Sequence, residues 1–381
     1  MRRFFLLLHG LTALFQIPFA IAIAEGLARL GAGPLRWAFA AAAAASSVVV
    51  LRGRIKLGAA DRPISKLRGW FVEEPYFVHW GASVWGAIAF AFGALALLVL
   101  AGLGVLRWPG IGSVALAAYG SGVVIAFYAV VVRRRWIRVR EVRVRVRDLP
   151  PALEGFTIAQ LSDLHIGAMT PGRRGRRWMA RANAVGADMI ALTGDYVTSG
   201  VAFHDEIADV FALLQAPLGV FCVPGNHDYF GEGEPLFAQL RARGIRMMRN
   251  EATTVEKAGA QLVIAGVDDV WSKRADVDKT MRQAPAGVRP IIALAHDPKL
   301  FPALADRGAD VVLSGHTHWG QIAMPFFPRV INFARLAFPF HSGESTRGDS
   351  TLVISPGLGT TGPPIRIGSP PEITVIRLVR A

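Results

Sequence analysis

The hydrophobic pattern changes about one third of the way along the chain. Residues 4–132 contain long apolar runs, whereas from residue 133 onward apolar runs of four or five residues alternate with polar ones. Runs of about 20 residues predict membrane-spanning helices, and short runs bounded by polar residues predict buried strands. The sequence therefore predicts a membrane region over residues 1–132 and a globular α/β domain over residues 133–381.

Four apolar stretches predict about four transmembrane helices, at residues 4–24, 34–51, 80–105 and 113–132. Basic residues cluster before the first stretch, after the second and after the fourth, which places these ends in the cytoplasm. We therefore expect a multi-pass inner-membrane protein with a cytoplasmic C-terminal domain, provided that the second, shortest stretch crosses the bilayer. If the first stretch is instead a signal peptide cleaved near Ala24, three spans remain and the domain still ends inside.

The composition agrees with a membrane as partner. Hydrophobic residues make up 52% of the chain and the formal net charge is +14. Because many of the basic residues flank apolar stretches, we expect an anionic membrane and not nucleic acid as the partner. Charged residues are scarce in the last two stretches, which favours an anchor over a transporter. The single cysteine, Cys222, excludes an intramolecular disulfide.

Side chains that commonly bind metals follow five of the short apolar runs. They are Asp163 and His165 after residues 157–161, Asp195 after 189–192, Asn226 after 220–223, His296 after 291–294, and His316 and His318 after 311–313. Because ligands bind at the carboxyl ends of strands in α/β sheets, these side chains are expected to converge. Two divalent cations about 3.5–4 Å apart need a bridging carboxylate and several nitrogen and oxygen donors, which this set offers.

The same residues form a recognisable series of motifs. In order, they are Asp163-x-His165, Gly194-Asp195, Gly225-Asn226-His227-Asp228, the isolated His296, and Gly315-His316-x-His318. The series resembles the calcineurin-like metallophosphoesterase superfamily over residues 138–378, and within it the bacterial membrane-anchored branch. That branch includes the lipid-A-pathway type, which cleaves a UDP-diacylglucosamine. The resemblance implies a four-layer α/β/β/α sandwich of two mixed sheets, preceded by a helical transmembrane region.

The resemblance also implies a role for each site residue. By motif position, Asp163, His165 and His318 would bind one metal, Asn226, His296 and His316 would bind the other, Asp195 would bridge them, and His227 would be a catalytic acid. The two divalent cations would be manganese, iron or zinc, with manganese favoured. Two positions depart from the family pattern. Thr198 stands where an acidic residue is common, and Trp319 stands where glycine is common and is expected to alter substrate access.

The expected function is metal-dependent phosphoester hydrolysis at the cytoplasmic membrane face, on a lipid-linked phosphoester such as a UDP-diacylglucosamine-like compound. Three alternatives remain: a phosphodiesterase of soluble small molecules, a non-catalytic membrane-tethered binding protein, and a transporter with a regulatory domain. The apolar segment 325–340 is expected either to contact lipid or to pack in the core. Residues 137–147 predict a strand with a bulge at Arg140 and Glu141.

Overall fold

The computed structural model describes residues 2–60, 62–324, 327, 330 and 332–381. The chain forms two compact units, and the main boundary between them falls between Val132 and Arg133.

The first unit is helical. Its helices are α1 (Arg2–Arg29), α2 (Arg36–Ala60), α3 (Lys66–Arg68), α4 (Glu74–Gly102) and α5 (Ile111–Phe127), with a π-helical turn at Gly69–Glu73 joining α3 to α4. Within the described residues, three helical segments are long and apolar enough to cross a membrane: Leu8–Arg29, Lys66–Gly102 and Ile111–Arg135.

The second predicted span does not meet this criterion. It forms helix α2, whose second half contains Arg52, Arg54 and Lys56. The total of four spans therefore remains a prediction, and so does the cytoplasmic position of the second unit. With three crossings from a cytoplasmic N terminus, the second unit would lie on the opposite side of the membrane.

Polar contacts attach α2 to α4. The Glu73 carboxylate pairs with Arg54 Nε at 2.8 Å and with Arg68 Nε at 3.0 Å. His79 lies 2.9 Å from both Ser47 Oγ and Tyr119 Oη through its two ring nitrogens. Because the buried Glu73 carboxylate is paired on both oxygens, it fits a structural role in a membrane anchor.

The second unit alternates strands and helices. In chain order its elements are β1 (Arg138–Val146), β2 (Thr157–Leu161), α6 (Gly172–Asn183), β3 (Met189–Thr193), α7 (His204–Phe211), β4 (Val220–Val223), α8 (Gly233–Ala242), β5 (Arg246–Met247), β6 (Glu251–Lys257), β7 (Ala260–Gly266), α9 (Val277–Arg282), β8 (Ile291–Leu294), α10 (Phe301–Asp306), β9 (Val311–Ser314), β10 (Gly343–Arg347), β11 (Ser350–Ile354) and β12 (Glu372–Arg380). The five apolar runs that precede the predicted ligands form β2, β3, β4, β8 and β9, as expected.

The strands form two six-stranded mixed sheets. Their spatial orders are β1-β12-β2-β3-β4-β5 and β10-β11-β9-β8-β7-β6. Apolar side chains of both sheets, among them Phe221 and Leu313, share one buried cluster. A second cluster lies between the first sheet and α6–α8, and a third joins the outer side of the second sheet to α9 and α10. The predicted α/β/β/α sandwich is therefore confirmed.

The bulge predicted in the first strand is wrong. β1 pairs with β12 in continuous register from Arg138 with Glu372 to Val146 with Arg380. The bulge was predicted because arginines occupy two positions on the face of the strand that is otherwise apolar. The fully buried Glu372 carboxylate explains them, because it pairs with Arg138 at 2.6 Å and with Arg140 at 2.9 Å.

Candidate metal centre

The predicted ligands lie in the turns that follow the strands. Five of the seven adopt positive φ: Asp163 (50°), His165 (44°), Asp195 (57°), His316 (66°) and His318 (51°). L residues rarely adopt this conformation, and such strain is concentrated at functional sites, where the surrounding fold must offset it. The sharp turns keep these side chains at the strand ends.

Asp163, His165 and His318 form one cluster of candidate ligands. Their ligand atoms all lie within 4.8 Å of one another, and all three residues are buried. The two Nε2 atoms of His165 and His318 are 3.1 Å apart, and His318 Nε2 is 3.4 Å from Asp163 Oδ1. The structure thus brings together the three residues that the motifs assign to one metal.

Asp195, His296 and His316 form a second cluster. His316 Nδ1 lies 3.2 Å from His296 Nε2. Asp195 Oδ2 is 3.3 Å from His296 Nε2 and 3.6 Å from His165 Nε2, so this oxygen stands between the two clusters. That position is the one a bridging carboxylate requires.

Asn226 is the seventh predicted ligand. Its Oδ1 is buried and has no hydrogen-bond partner among the described residues. Its neighbour His227 donates its backbone N–H to Asp195 Oδ1 at 2.9 Å, which ties this turn to the bridging position. Buried polar atoms are normally paired, so an unpaired carbonyl oxygen here fits a cation ligand.

Protonation states in the pocket also suit a cation. Burial lowers the pKa of His165 to about 3 and that of His316 to about 4, so both rings are neutral, as metal ligands must be. Burial also lowers the pKa of His296, but the Asp195 and Asp163 carboxylates outweigh it and raise this pKa to about 10. The negative potential that holds a proton on His296 would equally attract a divalent cation.

Close approach of the turns requires glycine. A Cβ on Gly194, where φ is 88°, would lie 2.6 Å from His296 Nδ1, and a Cβ on Gly315 would lie 2.3 Å from Asp163 Oδ2. His296 Nδ1 lies 2.7 Å from the Thr193 carbonyl oxygen. When a cation displaces the Nε2 proton, donation of Nδ1–H to this oxygen leaves the Nε2 lone pair facing the cluster.

His227 occupies a different environment. It is half-buried, and its Nδ1 lies 2.6 Å from the Thr198 carbonyl oxygen, where it can donate its proton. It also belongs to a third group of close ligand atoms with His165 and Asp195. The family departure at Thr198 therefore does not disturb the site, because the backbone oxygen of this residue, and not its side chain, orients His227.

Asp228 supports the turns. Its carboxylate accepts the backbone N–H groups of Asp195 at 3.0 Å, Tyr196 at 2.7 Å and Gly225 at 2.8 Å. These bonds join the turn after β3 to the turn after β4. Asp228 therefore supports the two turns that carry Asp195 and Asn226.

Trp319 does not border the substrate side. It is buried within the third apolar cluster, and its indole Nε1 donates to the Ile354 carbonyl oxygen at 2.9 Å. The expectation that Trp319 alters substrate access is therefore wrong. Its backbone adopts a positive φ of 52°, and its side chain lies in the core.

Arg366 is a supporting residue that the motifs did not reveal. The side chain is fully buried and donates to the carbonyl oxygens of Gly359 at 2.9 Å and Pro356 at 2.8 Å. Its Nη2 lies 3.2 Å from His318 Nδ1. Arg366 thus joins the segment before β12 to a predicted ligand. The only sign of this role in the sequence was one basic residue among mostly apolar neighbours.

Arg366→Lys is expected to lower the affinity for one of two cations by about 10–100-fold, because lysine cannot reproduce the planar set of donors that holds the backbone at Pro356 and Gly359 beside the His318 ring. Isothermal titration of the metal-free protein with Mn²⁺ measures this. Arg134→Lys is the control, since Arg134 is also fully buried but donates to the Met169 carbonyl oxygen. Equal affinities in the two variants would contradict a role for Arg366 at the metal centre.

Comparison with known proteins gives this arrangement a family. The model of the calcineurin-like phosphoesterases matches residues 156–320. An uncharacterized metallophosphoesterase of Aquifex aeolicus (strain VF5) is 31% identical over 250 residues, which cover 64% of this chain and 92% of that protein. The chain belongs to the calcineurin-like phosphoesterase family. It is therefore a metal-dependent phosphoesterase, and residues 163–318 supply the candidate ligands.

Other relatives extend the family likeness. The uncharacterized metallophosphoesterase YkuE of Bacillus subtilis (strain 168) is 29% identical over 257 residues, or 66% of this chain and 88% of that one. A transmembrane protein with metallophosphoesterase domain from Danio rerio is 32% identical over 272 residues, or 68% of this chain. The chain spans 61% of the length of this zebrafish relative. This chain thus combines a phosphoesterase domain with apolar helices that could cross a membrane. The zebrafish relative is likewise named a transmembrane protein.

Proposed function

We propose that this phosphoesterase hydrolyses a phosphoester attached to a membrane lipid. The observation that supports it most is an aromatic border around the candidate ligands. The Phe230 ring lies 4.6 Å from that of His227, and the rings of Phe338 and Trp271 lie 5.2 Å and 5.6 Å from that of His316. Phe230 and Trp271 are 51% and 56% exposed, although large apolar side chains are usually covered.

Part of the segment 325–340 is also apolar and exposed. Phe327, Val330 and Leu336 are exposed, as is Met324 just before the segment. Phe340, in contrast, packs edge-on against Phe301 with ring centroids 5.5 Å apart, which makes it part of the core. Pro325, Phe326, Pro328, Arg329 and Ile331 lie outside the described residues. An exposed apolar surface beside a phosphoesterase site fits a substrate with acyl chains.

The residues of the site have separable tasks under this proposal. Asp163, His165 and His318 would hold one divalent cation, Asn226, His296 and His316 a second, and Asp195 both. Such cations lower the pKa of bound water and neutralise charge on the phosphoryl group. His227, with Nδ1 fixed by the Thr198 carbonyl oxygen, would present its Nε2 proton to the leaving oxygen.

We further propose a phosphodiester or pyrophosphate substrate, such as a UDP-diacylglucosamine-like compound, at the cytoplasmic membrane face. The positive residues beside the apolar stretches support that side of the membrane. A phosphodiesterase of soluble small molecules remains the alternative. Equal kcat/KM values for a lipid-linked pyrophosphate and its deacylated counterpart would favour this alternative.

Phe338→Ser is expected to reduce kcat/KM for a lipid-linked substrate by about 10–100-fold, the equivalent of about 1.5–3 kcal/mol for one buried Phe side chain. The kcat/KM for a small p-nitrophenyl ester should stay within about twofold of the wild-type value. Such an ester has no acyl chain to contact Phe338, and independent sites influence each other by no more than about this factor. Steady-state assays of the full chain in detergent measure both.

Leu213→Ser provides the control, since Leu213 is exposed at the end of α7 and does not border the site. If Phe338→Ser lowers both activities equally, the ring supports His316 and the lipid proposal loses its main support. If neither activity changes, the aromatic border does not contact the substrate.

A further inference from the structure

Helix α6 has one strongly basic face. Arg173, Arg176, Arg177 and Arg181 are exposed and follow one another at helical spacing. The opposite face is buried and contains Gly172, Gly175, Trp178, Met179 and Ala182. No acidic residue occurs in α6. We refer to the four exposed arginines as the arginine face.

The packing of α6 fixes the direction of this face. A Cβ on Gly172 would lie 2.3 Å from Glu206 Oε1, and one on Gly175 would lie 2.9 Å from Val210 Cγ1, so the helix contacts α7 without intervening side chains. The Gly172 N–H donates to Glu206 Oε1 at 3.0 Å. Because α6 is held so closely to α7, the arginine face cannot turn inward.

The charges of the arginine face are largely free for an external partner. Arg176 approaches Glu206 at 3.9 Å, with both side chains partly exposed. Within the part of the chain that the structure describes, Arg173, Arg177 and Arg181 form no ion pair. Four exposed arginines, of which only Arg176 has a carboxylate within 4 Å among the described residues, create a positive potential that attracts an anionic surface.

The loop before α6 is bonded to the residues that begin the second unit. Arg134, at the end of the apolar helical segment Ile111–Arg135, donates to the carbonyl oxygen of Met169 at 3.2 Å. Met169 lies three residues before the first residue of α6. Trp136, which is 62% exposed, follows the same segment, and exposed tryptophan is typical of a membrane interface.

We propose that the arginine face of α6 docks on the anionic phospholipid headgroups of the bilayer that contains the apolar helices. Basic residues near an anionic leaflet are attracted to it, and the attraction falls off within a Debye length. Met169 is four residues from the candidate ligand His165, so docking fixes the first metal cluster beside the headgroups. The inference concerns orientation and does not depend on which phosphoester is hydrolysed.

Fluorescence quenching of the full chain in nanodiscs tests this docking. A bimane label is attached through Ala180→Cys, an exposed position between the arginines, while the native Cys222 is fully buried. The nanodiscs contain phosphatidylcholine alone or an equal mixture with phosphatidylglycerol, each with a headgroup-labelled quencher lipid. We expect at least about twofold more quenching with the anionic mixture, and loss of the difference at about 1 M salt, where the Debye length is about 3 Å.

Two variants decide the outcome. Replacement of Arg173, Arg176, Arg177 and Arg181 by glutamine should remove the lipid-dependent quenching. A control with the same charge loss at exposed positions on other elements, Arg241, Lys273, Lys279 and Arg282 to glutamine, should retain it. Circular dichroism verifies that both fold. Equal quenching in neutral and anionic nanodiscs, or equal loss in the two variants, would overturn the proposal.

Discussion

Asp195→Asn is expected to reduce phosphoester hydrolysis by at least about 10³-fold and to lower the occupancy of both cation sites. Asp195 Oδ2 lies between the two clusters, 3.3 Å from His296 and 3.6 Å from His165. An amide keeps the size and can still accept the backbone N–H of His227, but it cannot supply the charge of a bridging carboxylate. Metal ions contribute several kcal/mol of transition-state stabilisation, and each 1.36 kcal/mol corresponds to a factor of ten in rate.

Metal content by inductively coupled plasma mass spectrometry and turnover of a chromogenic ester measure this result together. Asp310→Asn is the matched control. Asp310 is also buried, but it accepts the Ile291 backbone N–H at 2.7 Å and pairs with Arg289, away from the ligands. Near-normal turnover of Asp195→Asn, or loss of only one cation, would show that Asp195 does not bridge two metals.

His227→Ala is expected to lower kcat by about 10²–10⁴-fold for an alkyl phosphoester, the usual contribution of general acid–base catalysis. Both cations should remain bound, because the ligand clusters around Asp163 and His296 are complete without this ring. The loss should be much smaller for a p-nitrophenyl ester, whose leaving group departs without a proton.

A series of aryl esters of graded leaving-group pKa measures the expected change. In the wild-type protein, the rate should depend weakly on the leaving group, and in His227→Ala steeply. The opposite result is also informative. A uniform loss across the series would mean that His227 positions the substrate, and loss of a cation would mean that it is a ligand.

The site was predictable from sequence because its ligands stand directly after apolar runs. A short apolar run predicts a buried strand, and the end of the run marks the end of that strand. Neighbouring parallel strands then bring these ends together. The supporting contacts were not predictable in the same way. The Thr198 carbonyl oxygen orients His227 through the backbone, which side-chain motifs do not represent, and Arg366 approaches His318 from 48 positions later in the chain.

The sequence pattern also did not predict which side chains of irregular segments are buried. Phe338 and Phe340 are two residues apart, yet one faces His316 and the other packs against Phe301. Trp319 directly follows a candidate ligand, yet its side chain lies in the core. In loops no fixed periodicity relates sequence position to side-chain direction, so such assignments depend on tertiary contacts.

The position of β12 separates membrane insertion of the apolar helices from completion of the first sheet during synthesis. β12 lies between β1 and β2, so the first sheet cannot be completed until residues 372–380 have been translated. The apolar helices precede β1 and can enter the bilayer while this strand still has no neighbour. During that interval β1 presents arginines at alternate positions, including Arg138 and Arg140, whose partner Glu372 does not yet exist. Unpaired like charges along an open edge discourage pairing between nascent chains, so the arginines that later pair with Glu372 first protect the open strand from aggregation.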